Sequence, residues 1–312
     1  MRRTTARPSR RTVLALATGT GLAALTTTRG TAYAATPATT PAAPGDALAG
    51  RLRALEAEYA ARLGVFALDT ATGRTVSYRA DERFPMCSVF KGLAAAAVLR
   101  DLDREGEFLA RRVRYTADFA QAAGYAPVTG LPENVANGMT VAQLCAATVS
   151  FSDNAAGNLL LRELGGPRAV TRFCRSIGDS TTRLDRWEPA LNSAEPWRDT
   201  DTTSPRAIGR TYGRLVVGKV LTPGDREKLT GWLVANTTNG ERFRAGLPAD
   251  WLLADKTGGG AQYGVANDVG VVWPPDRSPL VLSVLSTKYD PAGPTDNPLV
   301  ARTAALVAGA LT

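Results

Sequence analysis

The chain contains no histidine, so a serine nucleophile anywhere in its 312 residues must take its base from a lysine or a carboxylate. Cysteine is nearly as scarce. Cys87, Cys145 and Cys174 are odd in number and lack the paired close spacing of a zinc site. This argues against a disulfide framework and a structural metal centre, and predicts lone buried thiols. No apolar run reaches the roughly 20 residues that span a bilayer, so stable membrane insertion of the mature chain is not expected. Basic charge is thin where a polyanion would need it. The formal net charge is +8, but Arg2, Arg3, Arg7, Arg10, Arg11 and Arg29 all precede Asp46, the first acidic residue, and without these six it is +2. Basic residues interleaved with aromatics do not recur later, so nucleic acid is not an expected partner.

What is present is ordinary globular composition, 44% apolar and 21% charged, enough for one large or two interleaved domains. Residues 1–34 combine basic residues, an apolar run from Val13 to Leu25 and the small-residue site Ala32-Tyr-Ala34, the pattern of a cleaved export signal. Ser9-Arg10-Arg11-Thr-Val-Leu14 resembles a twin-arginine motif, so the mature protein is expected to be secreted. Residues 35–46 are almost wholly Ala, Thr, Pro and Gly and are predicted to be a tether.

Leu48, Leu52, Leu55, Tyr59 and Leu63 have helical spacing, with Gly64 placed to end that helix. Val65–Asp69 and Thr75–Tyr78 flank a hairpin signal at Thr70–Gly73. Helical signals then dominate from Pro85 to about Asn236, with a capping box at Thr140 and Gln143, Pro167 opening a helix and Gly178 closing it. Strand-like runs return at Trp251–Lys256, Val265–Trp273 and Leu280–Lys288, and Asn297-Pro298 starts a last helix. The chain ends therefore supply one α/β domain, 47–84 with 237–312, around an all-helical domain, 85–236. The junction is where a small-molecule cleft belongs.

Four motifs carry the chemistry. Ser88-Val-Phe-Lys91 puts a hydroxyl and an amine three apart on one helix face, near backbone amides that favour developing negative charge. Ser152-Asp-Asn154 and Lys256-Thr-Gly258 are each expected by chance in roughly one chain of this length in fifteen or twenty. Glu188-Pro-Ala-Leu-Asn192 adds a carboxylate that could activate water.

The serine-lysine, serine-aspartate-asparagine and lysine-threonine-glycine set is a known signature of class A β-lactamases and penicillin-binding proteins. Gly124-Tyr-Ala-Pro-Val128, Thr182–Asn192 and Ala245–Trp251 strengthen the match, and the chain resembles a class A serine β-lactamase of actinomycete type. The resemblance implies an α+β fold: an antiparallel five-stranded sheet flanked by amino- and carboxyl-terminal helices, with an inserted all-helical domain carrying an omega-type loop at 183–201. It implies hydrolysis of penicillins and cephalosporins through a serine acyl-enzyme, conferring antibiotic resistance. Ser88 would be the nucleophile, Lys91 its base or proton relay, and Ser152 the donor to the leaving nitrogen. Lys256, with Thr257 and Gly258, would receive the substrate carboxylate. Backbone donors at Ser88 and Gly259 would hold the acyl oxygen. Glu188 and Asn192 would aim the water, Asn154 and Tyr125 would contact the substrate side chain, and Asn158, Arg186 and Asp201 would support the loop. No metal or cofactor is implied, and the expected state is a monomer acting on a small molecule.

The chain departs from that pattern in three places. Gly264-Val-Ala-Asn-Asp268 lacks the arginine many members carry, and Arg242 resembles the actinomycete substitute. The turn Gly258-Gly-Gly-Ala-Gln262 is one residue longer, and Val89 replaces the threonine that often follows the nucleophile. Two alternatives stay open from the sequence. A DD-carboxypeptidase or transpeptidase would share Ser88, Lys91, Ser152 and Lys256 without requiring Glu188, and a non-catalytic penicillin-binding sensor would keep only the fold.

Overall fold

The computed structural model describes residues 44–260 and 262–312, so the export signal at 1–34 and most of the 35–46 tether lie outside the described residues. The central element is a five-stranded antiparallel sheet in the order β2-β1-β9-β8-β7, made of β1 (Arg62–Asp69), β2 (Thr75–Tyr78), β7 (Leu252–Gly259), β8 (Ala266–Trp273) and β9 (Leu280–Thr287). The chain ends meet inside it: β1 pairs with β9 from Arg62 opposite Thr287 to Asp69 opposite Leu280. A two-residue side-chain period sorts the strands between two cores. Leu63, Val65 and Ala67 on β1 and Leu280, Leu282 and Val284 on β9 share a core with α1 (Pro44–Glu58) and α12 (Asn297–Leu311). Val281 and Leu285, on the opposite face, join the larger core beneath the helices.

Between β2 and β7 the chain is helical: α2 (Phe90–Ala97), α3 (Glu107–Ala110), α4 (Ala117–Ala122), α5 (Pro132–Asn137), α6 (Val141–Ser150), α7 (Asn154–Leu164), α8 (Arg168–Ser176), α9 (Pro205–Val216) and α10 (Pro223–Val234), followed by the short α11 (Phe243–Gly246). Two small ladders interrupt it, β3 (Phe84–Pro85) with β6 (Thr202–Thr203) and β4 (Arg112–Val113) with β5 (Met139–Thr140). Caps set the helix starts. Thr140 and Gln143 form the reciprocal box that opens α6, Asp153 caps α7, and Ser204 before Pro205 caps α9. Helix α2 is buried on every side, against α6, α7, α8 and α10. Its run of alanines is what lets four neighbours come that close.

The first helix departs from the expected span. It begins at Pro44, taking in residues assigned to the tether, and ends at Glu58. Leu63 and Gly64 belong to β1, where Gly64 pairs with Leu285 and a side chain in its place would meet the Phe84 ring at 2.5 Å. A full ladder with β9 outweighs the helical spacing of one leucine. At the other end, β7 runs through Gly258 and Gly259, which pair with Asn267 and Ala266. A Cβ on Gly258 would lie 2.8 Å from the Met86 carbonyl, so glycine lets this edge strand close on the turn that carries Ser88.

Candidate active site

Ser88 sits in a single 3₁₀ turn, Cys87–Val89, immediately before α2 rather than within it. The preceding residue, Cys87, has φ of +46°, and Ser152, between α6 and α7, has φ of +58°. Both are positive-φ positions for non-glycine residues, the kind of local strain, about 1–3 kcal/mol, that clusters at functional sites. Gly157 on α7 leaves the passage through which the Lys91 side chain runs, its absent Cβ 3.5 Å from Lys91 Cε.

Lys91 is the hub. Its Nζ donates to Ser88 Oγ at 2.9 Å, to the Ser152 carbonyl at 2.7 Å and to Asn154 Oδ1 at 2.5 Å, and it lies 3.4 Å from Ser152 Oγ. Glu188 Oε1 stands 3.1 Å away, with both side chains fully buried. Burial pushes the Lys91 amine below its ordinary pKa, and the Glu188 charge opposes that push. Across the cleft, Lys256 Nζ donates to Ser152 Oγ at 3.1 Å and to the Thr257 carbonyl at 2.9 Å. Burial, then the Lys91 charge, drives Lys256 well below its ordinary pKa. One serine hydroxyl is thus suspended between two amines.

The Glu188 carboxylate accepts from Asn192 Nδ2 through its second oxygen. Its peptide is clamped by Asn158, which accepts from the Glu188 N–H at 3.0 Å and donates to its carbonyl at 2.9 Å. Asn154 and Asn158 are four apart on α7, so one helix face orients both Lys91 and Glu188. Farther along the loop, Arg186 Nε meets Asp201 Oδ2 at 2.6 Å, and Asp201 Oδ1 accepts the backbone N–H groups of Asp185 and Arg186 at 2.7 and 3.0 Å. Asp201 is buried, which sets this pair apart from a solvated surface bridge.

A cleft of about 630 Å³ opens over Ser88, Ser152 and Asn154, with Tyr125 exposed on one wall and Thr257, Gly259 and Arg242 on the other. Arg242 Nη1 donates to the carbonyls of Gly258 and Asn267 at 2.8 and 2.7 Å, and its Nε donates to Asn297 Oδ1 at 2.8 Å. Its Nη2 lies 3.5 Å from where a Cβ on Gly259 would stand.

Three contributors were not singled out from the sequence. Asp153 accepts from the backbone of Val128 and Thr129 at 3.0 and 2.9 Å while capping α7, so it ties the Ser152 turn to the Tyr125 wall. An aspartate just before a helix is a capping signal that could have marked it. Asn267 Nδ2 donates to the Pro85 carbonyl at 2.9 Å, holding the approach to Ser88 against the sheet. Thr238 lines the cleft and contacts Thr257 through its hydroxyl. For Asn267 and Thr238 the partners are remote in sequence, and only the fold reveals them.

A model of the beta-lactamase enzyme family matches residues 47–311. The chain is 72% identical to a beta-lactamase from Kitasatospora aureofaciens over the full length of both. Its structure matches the beta-lactamase from Streptomyces albus G with a TM-score of 0.83 at 63% identity, covering 84% of this chain and 98% of that one. An ancestral class A beta-lactamase matches with a TM-score of 0.78 at 50% identity, covering 84% and 99%. The sheet and its flanking helices are thus those of class A β-lactamases. The chain belongs to the beta-lactamase enzyme family, with the actinomycete-type members.

Proposed function

We propose that this chain hydrolyses the β-lactam amide of penicillins and cephalosporins through an ester on Ser88, and so protects its host from these antibiotics. Ser88 Oγ attacks the ring carbonyl and its proton passes to the Lys91–Glu188 pair. The carbonyl oxygen takes the negative charge, facing backbone donors at Ser88 and Gly259, each worth about 10² to 10³ in rate. Collapse breaks the C–N bond, and Ser152 passes a proton to the leaving nitrogen and regains one from Lys91, 3.4 Å away, which returns the Lys91–Glu188 pair to its starting protonation. Lys256 and Arg242 hold the substrate carboxylate with Thr257 and Gly258, and Asn154 and Tyr125 take the side chain. Glu188 then removes a proton from a water aimed with Asn192, hydroxide adds to the ester, and the departing Ser88 oxygen takes that proton back by way of Lys91, a general-base contribution of about 10² to 10⁴. Asn158, Arg186 and Asp201 keep the loop rigid enough to aim.

One observation carries the reading: Glu188 lies 3.1 Å from the amine that touches Ser88, so the group able to activate water stands beside the ester it must cleave. An acyl acceptor needs no such carboxylate. The cleft lies where the α/β part, 47–84 with 237–312, would meet the helical part, 85–236. Ser9–Leu14 supports export by the twin-arginine route with cleavage near Ala34. Turnover of nitrocefin tests the activity. Many turnovers per molecule are expected; a single stoichiometric burst would instead mark a transpeptidase-like acyl acceptor, and no reaction a binding module.

A further inference from the structure

Behind Lys256, two carboxyls remain that this chemistry does not use. Strand alternation puts Asp255 on the same face of β7 as Leu253, and Asp268 on the same face of β8 as Ala266 and Val272, so both lie on the face covered by α1 and α12 while Lys256 points to the opposite face, toward the helices between β2 and β7. Both are completely buried. Asp255 pairs with Gly270 and Thr257 with Asp268, which makes the aspartates diagonal neighbours across the ladder. Asp255 Oδ1 accepts from Nδ2 of Asn236 at 3.0 Å and of Asn239 at 2.8 Å, and Asp268 Oδ2 accepts the Phe243 N–H at 3.1 Å. The other two oxygens, Asp255 Oδ2 and Asp268 Oδ1, are buried with no hydrogen-bond donor among the described residues, and each carboxyl acts on the other. A hydrogen bond between two such carboxyls needs a proton on one of them. Asp255, with two amide donors, is suited to be the ionised partner; Asp268, with one, is suited to keep the proton on Oδ1.

Two cations border the pair without a direct carboxylate partner. Arg242 donates to two backbone carbonyls and an amide oxygen, and Lys256 to a hydroxyl and a carbonyl. Among the described residues neither lies within ion-pair distance of a carboxylate. The other titratable neighbours acting on these groups are Tyr212 from α9, Lys91 from α2, and Cys87 and Glu241 near Arg242.

We propose that Asp255 and Asp268 share one proton, and that the single negative charge left on the pair is the buried counter-charge that keeps Lys256 and Arg242 cationic and ready for a substrate carboxylate. The two aspartates are positioning residues, acting through the cations. The inference rests on the reading of Lys256 and Arg242 as carboxylate partners and deepens it. The charge balance supports it: two cations against one negative charge leave one positive charge for the substrate, whereas a doubly ionised pair would cancel both. Burial, then the charges of Lys91 and Arg242, push Lys256 well below its ordinary pKa, and the two aspartates oppose this.

Asp268→Asn replaces the protonated carboxyl with an amide that still donates to Asp255, so the charge is kept. Its kcat/KM for benzylpenicillin at neutral pH is expected within about threefold of the parent, and infrared spectroscopy should lose one protonated-carboxyl band. Asp255→Asn combined with Asp268→Asn removes the charge. KM is then expected to rise about tenfold or more with kcat less affected, and the alkaline fall in kcat/KM to move about one pH unit lower as Lys256 gives up its proton earlier. A band that persists in Asp268→Asn, a loss of more than about tenfold in that folded variant, or a double variant with the parental KM and pH profile would overturn the proposal. If the double variant does not fold, the single variant and its band still decide. The band does not depend on turnover, so failure of the assigned reaction and failure of the shared proton are separable.

Discussion

Helix α2 and segment 183–201 face each other across the Lys91–Glu188 contact, and different forces hold them. All eight residues of α2 are buried, in a core that draws on four other helices. The loop has one 3₁₀ turn, Ala190–Ser193, and relies on side chains that bind its backbone: Asn158 at Glu188, Asp201 at Asp185 and Arg186, and the Thr171 hydroxyl at Leu184. Apolar packing is collective and indifferent to pH, whereas a few buried polar contacts are each critical and some can titrate. On the proposed route α2 carries Lys91 and anchors the turn that presents the nucleophile for ester formation, and the loop presents the base for ester cleavage. Damage to one should therefore be separable from damage to the other.

The sharpest break is Asp201→Ala, which strips Arg186 of its carboxylate partner, leaving it only the Ser193 hydroxyl, and leaves two backbone N–H groups without an acceptor. A loss of about 3–5 kcal/mol is expected. Steady-state turnover should fall by about 10²-fold while the acylation burst survives, as stopped-flow burst amplitudes would reveal. Gly92→Ala makes the converse cut in α2, because a Cβ there would collide with the Tyr212 hydroxyl, which donates to the Val89 carbonyl at 2.8 Å. Overpacking of this kind costs about 1–3 kcal/mol; a lower Tm is expected, with any kinetic loss falling on ester formation. Arg242→Ala touches neither support. About a tenfold fall in kcat/KM for a carboxylate-bearing penicillin is expected, and little change for its carboxyl ester.

The smallest effect is acid sensitivity of the loop. Partial burial would raise the Asp185 carboxyl, but Arg183 and the Asp201 N–H hold it below its ordinary range; burial would likewise raise Glu195, and the Ser193 hydroxyl is first among the groups that hold it down. A carboxyl whose folded pKa is depressed stabilises above its unfolded value, about 4, and loses that contribution as pH falls through the folded one. Each is partly exposed and worth less than about 1 kcal/mol. Below about pH 4 deacylation should weaken before acylation, and Asp185→Asn should flatten that difference.

The same contrast explains what the sequence made legible. Ser88, Lys91, Ser152, Asn154, Glu188, Asn192 and Lys256 stand in short motifs, because chemistry fixes both residue type and local spacing, and the structure gathers them into one cleft. β8 and β9 were visible as apolar runs to within a residue of their ends and β2 as the second arm of a hairpin, whereas β1 was read without Arg62–Gly64 and β7 without Thr257–Gly259. Partnerships across the fold were not. Leu63 fits a helix until β9 claims it, Asn267 is one polar residue in an apolar strand until Pro85 lies above it, and Asp255 hides beside the lysine of a stronger motif. The two small ladders bring together segments 26 or more residues apart, a distance local propensity does not cover.

The most direct test of the central claim is the intact mass of Glu188→Ala after mixing with benzylpenicillin. The account predicts that Ser88 still reacts and that the protein gains the mass of one penicilloyl group, which persists because nothing activates the water. An unmodified protein that turns over at the parental rate would contradict it.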